Sequence, residues 1–211
     1  MAVQLLETWL LKEQEKIQNK YRELNQISLL DPDIIFIGDS IIEYYPLQEL
    51  LGPSKIMVNR GIRGYQTGLL LDNLDAHLYG GAVDQIVLLI GTNDIGKEVE
   101  LEQTLHNLEA VIQSIARDFP LTQIKLLSIL PVNEGTEYQQ TVYIRTNEKI
   151  KAWNQAYQDL ASAYMQVEYI PVFDSFLDEA GQLKPTYTTD GLHLSVAGYQ
   201  VLSNVLKDYL F

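Results

Sequence analysis

Short runs of uninterrupted apolar residues alternate along this chain with stretches whose apolar positions recur every three or four residues. The continuous runs predict strands near 33–38, 55–59, 84–90, 123–130 and 167–172. The periodic stretches predict helices near 41–51, 66–79, 101–118, 144–163 and 195–210. The strands are β-branched or aliphatic with little alternation, as strands covered on both faces are. Strand–helix units repeated in this way predict an α/β fold: a three-layer α/β/α sandwich around a five-stranded parallel sheet. Ahead of it, residues 4–28 read as an amphipathic helix with Leu6, Leu10, Ile17, Tyr21 and Leu24 on one stripe, ended by Asp31-Pro32. This helix is expected to pack on the sandwich or to join two subunits into a homodimer, protecting Trp9 and Tyr21 in either case.

With 211 residues the expectation is a single domain, 1–211, able to bury roughly 70% of the surface its unfolded chain exposes. The longest irregular connection, Pro131 to Gln140, leaves the fourth strand and is a candidate rim or lid. The chain has no cysteine, which excludes disulfides and thiolate metal sites and leans toward the cytoplasm. The opening Met1 to Trp9 lacks a basic n-region and a small-residue cleavage site, so no signal peptide is read there. No apolar run approaches the roughly 18 residues of a membrane span. Fifteen basic against 28 acidic residues give a net charge of −13, which opposes nucleic acid and anionic membrane surfaces as partners. A small, neutral or cationic molecule is the expected ligand.

Candidate chemistry clusters where strands end. Gly38-Asp39-Ser40 follows the first predicted strand, Asn59-Arg60-Gly61-Ile62-Arg63-Gly64 the second, and Gly91-Thr92-Asn93-Asp94 the third. In an open α/β sheet, ligands bind in the crevice beyond the carboxyl ends of the strands, so these segments are expected to converge. A serine at a sharp strand-to-helix turn is a candidate nucleophile, with the following helix aiming its N–H groups and macrodipole at a developing oxyanion. Asp190-Gly191-Leu192-His193 sets a carboxylate three positions from an imidazole, an arm that fixes one ring nitrogen and leaves the other for a serine proton. The N–H of Gly64 and the side-chain amide of Asn93 are candidate oxyanion donors, and Asp94 is expected to hold its loop. Asp174, which also follows a strand, competes with Asp190 for the acid role.

Each segment alone has a plainer explanation: Ser40 as a helix cap, the glycine segments as turns, Asp190 as a turn residue, or Asp190 and His193 as metal ligands. A metal site would need more ligands, and His77 and His106 lie in helical patterns as surface or groove residues. Neither metal nor cofactor is expected.

Together, in this order, the segments Gly38-Asp39-Ser40, Asn59 to Gly64, Gly91 to Asp94 and Asp190 to His193 resemble the four blocks of the SGNH hydrolases, or GDSL esterase/lipase family. The tone is similar to the platelet-activating-factor acetylhydrolase-like branch, and the likeness covers residues 32–210. The resemblance implies the α/β/α sandwich and a serine esterase cleaving short acyl esters, acetyl included, through an acyl-enzyme. It implies Ser40 as nucleophile, His193 as base, Asp190 as its partner, and Ser40 N–H, Gly64 N–H and the Asn93 side chain as oxyanion hole. Two departures stand out: Tyr65 where many relatives carry an acidic residue, and the helix of residues 4–28. A different class of reading is a flavodoxin-like domain that binds phosphate or nucleotide at Gly61 to Gly64 and Asn93 without hydrolysis. It would lack a Gly-x-Gly-x-x-Gly fingerprint and a P-loop lysine, and would give Ser40, Asp190 and His193 no joint role.

Overall fold

Strands β1 (Ile34–Gly38), β2 (Met57–Gly61), β3 (Gln85–Leu89), β4 (Gln123–Leu127) and β5 (Val167–Ile170) are all parallel and lie in the order β2-β1-β3-β4-β5. The computed structural model describes residues 2–211, with side chains from residue 8 onward; the side chain of Leu6, on the predicted stripe, lies outside them. Alternate residues of β1 enter opposite cores, as the two-residue strand period requires. Ile35 and Ile37 pack beneath α1 (Ala2–Ile27), α4 (Thr67–Asp72), α5 (Leu74–His77), α6 (Thr92–Gly96), α7 (Leu101–Asp118) and α9 (Asn147–Ser162). Ile34 and Phe36 face the other way, toward α2 (Ser40–Glu43), α3 (Leu47–Leu51) and α10 (Val196–Leu210). A further one-turn helix, α8 (Gln139–Val142), lies in the connection after β4.

This is the expected α/β/α sandwich, with local differences. The predicted helix 41–51 is two, because Pro46 sits between α2 and α3 with no N–H to continue the ladder. The pattern at 66–79 also divides, at Asn73. Gly91 to Asp94, read as a turn, starts the short helix α6. Apolar character runs past β4 to residue 130 because Ser128, whose N–H still bonds the Ile170 carbonyl of β5, and Ile129 and Leu130 stay buried beyond the end of β4 at Leu127. Helix α1 packs on the sandwich: Tyr21 Oη donates to the Gly61 carbonyl at 2.9 Å and Gln14 Nε2 to the Arg63 carbonyl at 2.9 Å. Tyr21 is buried as expected, but Trp9 stays 51% exposed. His77, expected at the surface or in a groove, is fully buried, with Nδ1 2.6 Å from the Arg60 carbonyl oxygen. Burial pushes its imidazole down to about 4, so it is packed as a neutral ring. No helix among the described residues is long and apolar enough to cross a membrane.

In register, Gly38 of β1 lies between Gly61 of β2 and Leu89 of β3. The three strands end level, and consecutive connections leave to either side of β1, the switch point at which such sheets bind ligands.

Candidate active site

Ser40 follows directly from β1. Gly38 turns the chain with φ +151°, and a Cβ there would lie 2.0 Å from the Leu89 carbonyl oxygen, so only glycine fits between β1 and β3. Asp39 then caps α2, its carboxylate accepting from Ile41 N–H at 2.9 Å. The cap role proposed for Ser40 therefore belongs to its neighbour, and the buried Ser40 Oγ lies 3.0 Å from His193 Nε2. Helix α2 spans only Ser40–Glu43, so the helix macrodipole expected behind the serine is that of a single turn. As the first helical residue, Ser40 has a main-chain N–H with no intrahelical acceptor.

The imidazole comes from the loop before α10. Asp190 Oδ2 is 2.8 Å from His193 Nδ1, and Asp190 Oδ1 accepts from the main-chain N–H groups of His193 and Leu192 at 2.8 and 3.1 Å. Burial works to raise the Asp190 carboxyl, but the hydrogen bonds and charge of His193 outweigh it and hold it below the usual carboxylate range. With Nδ1–H donating to Asp190, Nε2 is the lone-pair nitrogen facing Ser40. Thr188 organises the arm: Oγ1 donates to the His193 carbonyl at 2.8 Å and accepts from Gly191 N–H at 2.9 Å. Asp174 is exposed on a 3-10 turn (Phe173–Phe176), where it lines a separate cleft with Lys151 and Tyr169.

The candidate oxyanion donors lie where β2 and β3 end. Gly64 has φ +73° in the turn closed by Tyr65 N–H to the Ile62 carbonyl. Asn93 Nδ2 donates to the Tyr65 carbonyl at 3.0 Å, tying the exits of β2 and β3 together. Asp94 holds its loop, accepting from the Thr67 N–H and from its hydroxyl at 2.5 Å; burial raises its carboxyl. Tyr65 is fully buried and receives Gln18 Nε2 on its hydroxyl, so the first departure from the family pattern serves the second, helix α1.

The long connection after β4 is fastened at several points: Asn133 N–H donates to the Gly191 carbonyl at 2.8 Å, and Asn133 Nδ2 to the Leu183 carbonyl at 2.8 Å. It forms a rim, with Tyr138 against Gly191. Two neighbours of the site were not expected from the sequence. Tyr44 is 46% exposed with its ring centroid 6.0 Å from that of His193. Arg145 is buried with Nη2 3.5 Å from Asn93 Oδ1. Nothing local in the sequence distinguishes either one. Among the described residues, no group of three or more histidine and acidic side chains is placed to hold a metal.

An α/β sandwich that gathers a serine, an imidazole and a carboxylate in line at the carboxyl ends of its strands has the form of an ester hydrolase. The model of the GDSL-like Lipase/Acylhydrolase family matches residues 36–201, and the chain belongs to that family, enzymes that act on carboxylic ester bonds. Among curated proteins, it is similar to platelet-activating factor acetylhydrolase IB subunit alpha2 of Rattus norvegicus, 26% identical over 85% of this chain and 76% of that protein. It is also similar to N-acylneuraminate cytidylyltransferase of Escherichia coli, 27% identical over 92% of this chain. The chain spans less than half of that protein's length, 43%. A Streptococcus pneumonia structure provisionally described as a platelet activating factor is 77% identical, with a TM-score of 0.99, covering 100% of this chain and 99% of that one.

Proposed function

We propose that this protein is a serine esterase for short-chain acyl esters, acetyl esters among them, working through an acyl-enzyme on Ser40. The observation that carries the reading is the unbroken line Asp190 Oδ2, His193 Nδ1, His193 Nε2, Ser40 Oγ, with steps of 2.8 Å and 3.0 Å. As Ser40 Oγ forms its bond to the ester carbonyl carbon, its proton passes to His193 Nε2 and the carbonyl electron pair moves onto oxygen. Asp190 keeps the imidazolium oriented and balances its charge. The Ser40 N–H, Gly64 N–H and Asn93 Nδ2–H receive the oxyanion. Collapse breaks the bond to the leaving alcohol, which takes the proton from Nε2. Water then gives a proton to Nε2, attacks the acyl carbon, and the acid departs with Ser40 restored. The acetylhydrolase relative supports a small acyl group.

Two assays test this. A fluorophosphonate probe is expected to label Ser40 in the wild type and not in Ser40→Ala. A p-nitrophenyl ester series is expected to favour the shortest acyl chains and to lose nearly all turnover in that variant. Appreciable hydrolysis by a folded Ser40→Ala protein would overturn the assignment. The sheet order also suits a phosphate- or nucleotide-binding domain, which would show ligand affinity with no labelling.

A further inference from the structure

Arg145 is a buried cation that forms no ion pair among the described residues. Its donors go instead to one small region. Nε donates to the Thr92 carbonyl at 2.8 Å, Nη1 lies 3.2 Å from the carbonyls of Thr141 and Val142, and Nη2 is 3.5 Å from Asn93 Oδ1. Burying a guanidinium that no carboxylate hydrogen-bonds is costly even with the Asp39 carboxyl acting on it through space, and an apolar side chain of similar volume would fill the room. The charge is kept where it touches the amide proposed to receive the oxyanion.

An asparagine amide has nearly the same shape after a half-turn that exchanges its oxygen and nitrogen, so sterics alone barely select its orientation. The wrong orientation would aim Oδ1 lone pairs at the oxyanion. Two contacts choose between them: the Tyr65 carbonyl accepts from Nδ2 at 3.0 Å, and Arg145 donates toward Oδ1. A cation on the amide oxygen also draws electron density from the N–H bonds, strengthening them as donors. Gly96 makes room for this, since a Cβ there would lie 2.0 Å from Arg145 Nη2. We propose that Arg145, reaching across from the loop after α8, is a positioning residue of the oxyanion hole that locks and polarises the Asn93 amide. The proposal rests on the reading of Asn93 as an oxyanion donor.

The test is steady-state kinetics on a p-nitrophenyl ester with Arg145→Met, Arg145→Lys, Gly96→Ala, Asn93→Ala and the double variant Asn93→Ala/Arg145→Met. Arg145→Met is expected to lower kcat by roughly 10- to 100-fold with little change in KM, the pattern of an interaction made in the transition state. Arg145→Lys, which keeps the charge and loses the fork, should recover part of that loss. In the Asn93→Ala background, Arg145→Met should cost less than about twofold, because its target is gone. If Arg145→Met fails to fold, Gly96→Ala tests the same contact. Alanine suits a helical position, and its methyl would displace the guanidinium, to which all three nearest atoms belong, so kcat should fall while KM holds. Unchanged kcat in a folded Arg145→Met or Gly96→Ala protein would overturn the proposal, as would losses that simply multiply in the double variant. Unchanged kcat in Asn93→Ala would instead remove the oxyanion role of Asn93 itself.

Discussion

Asp39 offers a perturbation whose size follows from the structure. Its carboxyl caps α2 next to the candidate nucleophile, and burial pushes it up from 3.8 to about 7, against the opposing pull of Ile41 N–H and the His193 and Arg145 charges. Between those two pH values the folded protein holds a proton that the unfolded chain has released. Stability therefore falls as pH rises: this group's contribution is full below 3.8 and is lost as pH passes through about 7. At about 1.4 kcal/mol per pKa unit, a rise of roughly three units amounts to about 4 kcal/mol. The amide introduced by Asp39→Asn cannot ionise, yet asparagine caps helices as well as aspartate does. Urea melts of both proteins at pH 4.5, 6 and 8 measure the difference directly. The variant should gain on the wild type as pH rises from 4.5 to 8, mostly below pH 7, by about 3 kcal/mol. A difference that is flat with pH, or that favours the wild type increasingly toward pH 8, would show that Asp39 is ionised throughout and refute the argument.

Asp190→Asn should lower kcat much more than Asp174→Asn, since only Asp190 reaches His193 Nδ1; the reverse ranking in an ester assay would move the acid role. Thr188→Val removes the hydroxyl shared by His193 and Gly191 and should cost about 1–3 kcal/mol in urea melts, with kcat reduced and Thr188→Ser restoring both. Helix α1 already packs on its own subunit through Tyr21, while Trp9 stays exposed. If Trp9 completes a dimer, light scattering should show a mass above 24.0 kDa that falls in Trp9→Ser; a constant monomer mass would exclude pairing.

The strands and the segments that follow them were legible because both signals are local. The apolar runs of β1 to β4, buried along most of their length, call for a covered parallel sheet, whereas the edge strand β5 exposes Glu168, and residues that leave such strands are brought together by the sheet itself. The arm of Asp190 and His193 was legible for the same reason, since three residues of spacing suffice to bond a carboxylate to an imidazole. Short helices were less visible. Apolar spacing from Ile41 to Leu51 fits one helix, and only Pro46 marks the break. His77 reads as a surface residue because its burial depends on the Arg60 carbonyl and on the rings of Tyr21 and Tyr65, all brought from elsewhere. Arg145 left no trace at all. Its partners Thr92 and Asn93 lie about fifty positions away, and an arginine at the start of the helix predicted near 144–163, a helix that begins only at Asn147, looks like solvent-facing charge.

Two different supports hold the two halves of the candidate site. Ser40 is carried by the sheet, fixed by Gly38 wedged against Leu89 and by the Asp39 cap. The imidazole is carried by loops, through Thr188, the Asn133 to Gly191 bond, and Ser195 N–H on the Tyr187 carbonyl. Sheet interiors open only with global unfolding, whereas loops open locally at lower free energy. Destabilising conditions should therefore separate the imidazole from the serine before they disturb the serine itself. In that order, ester turnover is lost in mild urea while the tertiary signal of the sheet core persists, and Thr188→Val shifts the loss of turnover to lower urea by more than it shifts the sheet-core transition. Turnover and global unfolding that coincide in both proteins would mean that the His193 arm is as firmly held as β1.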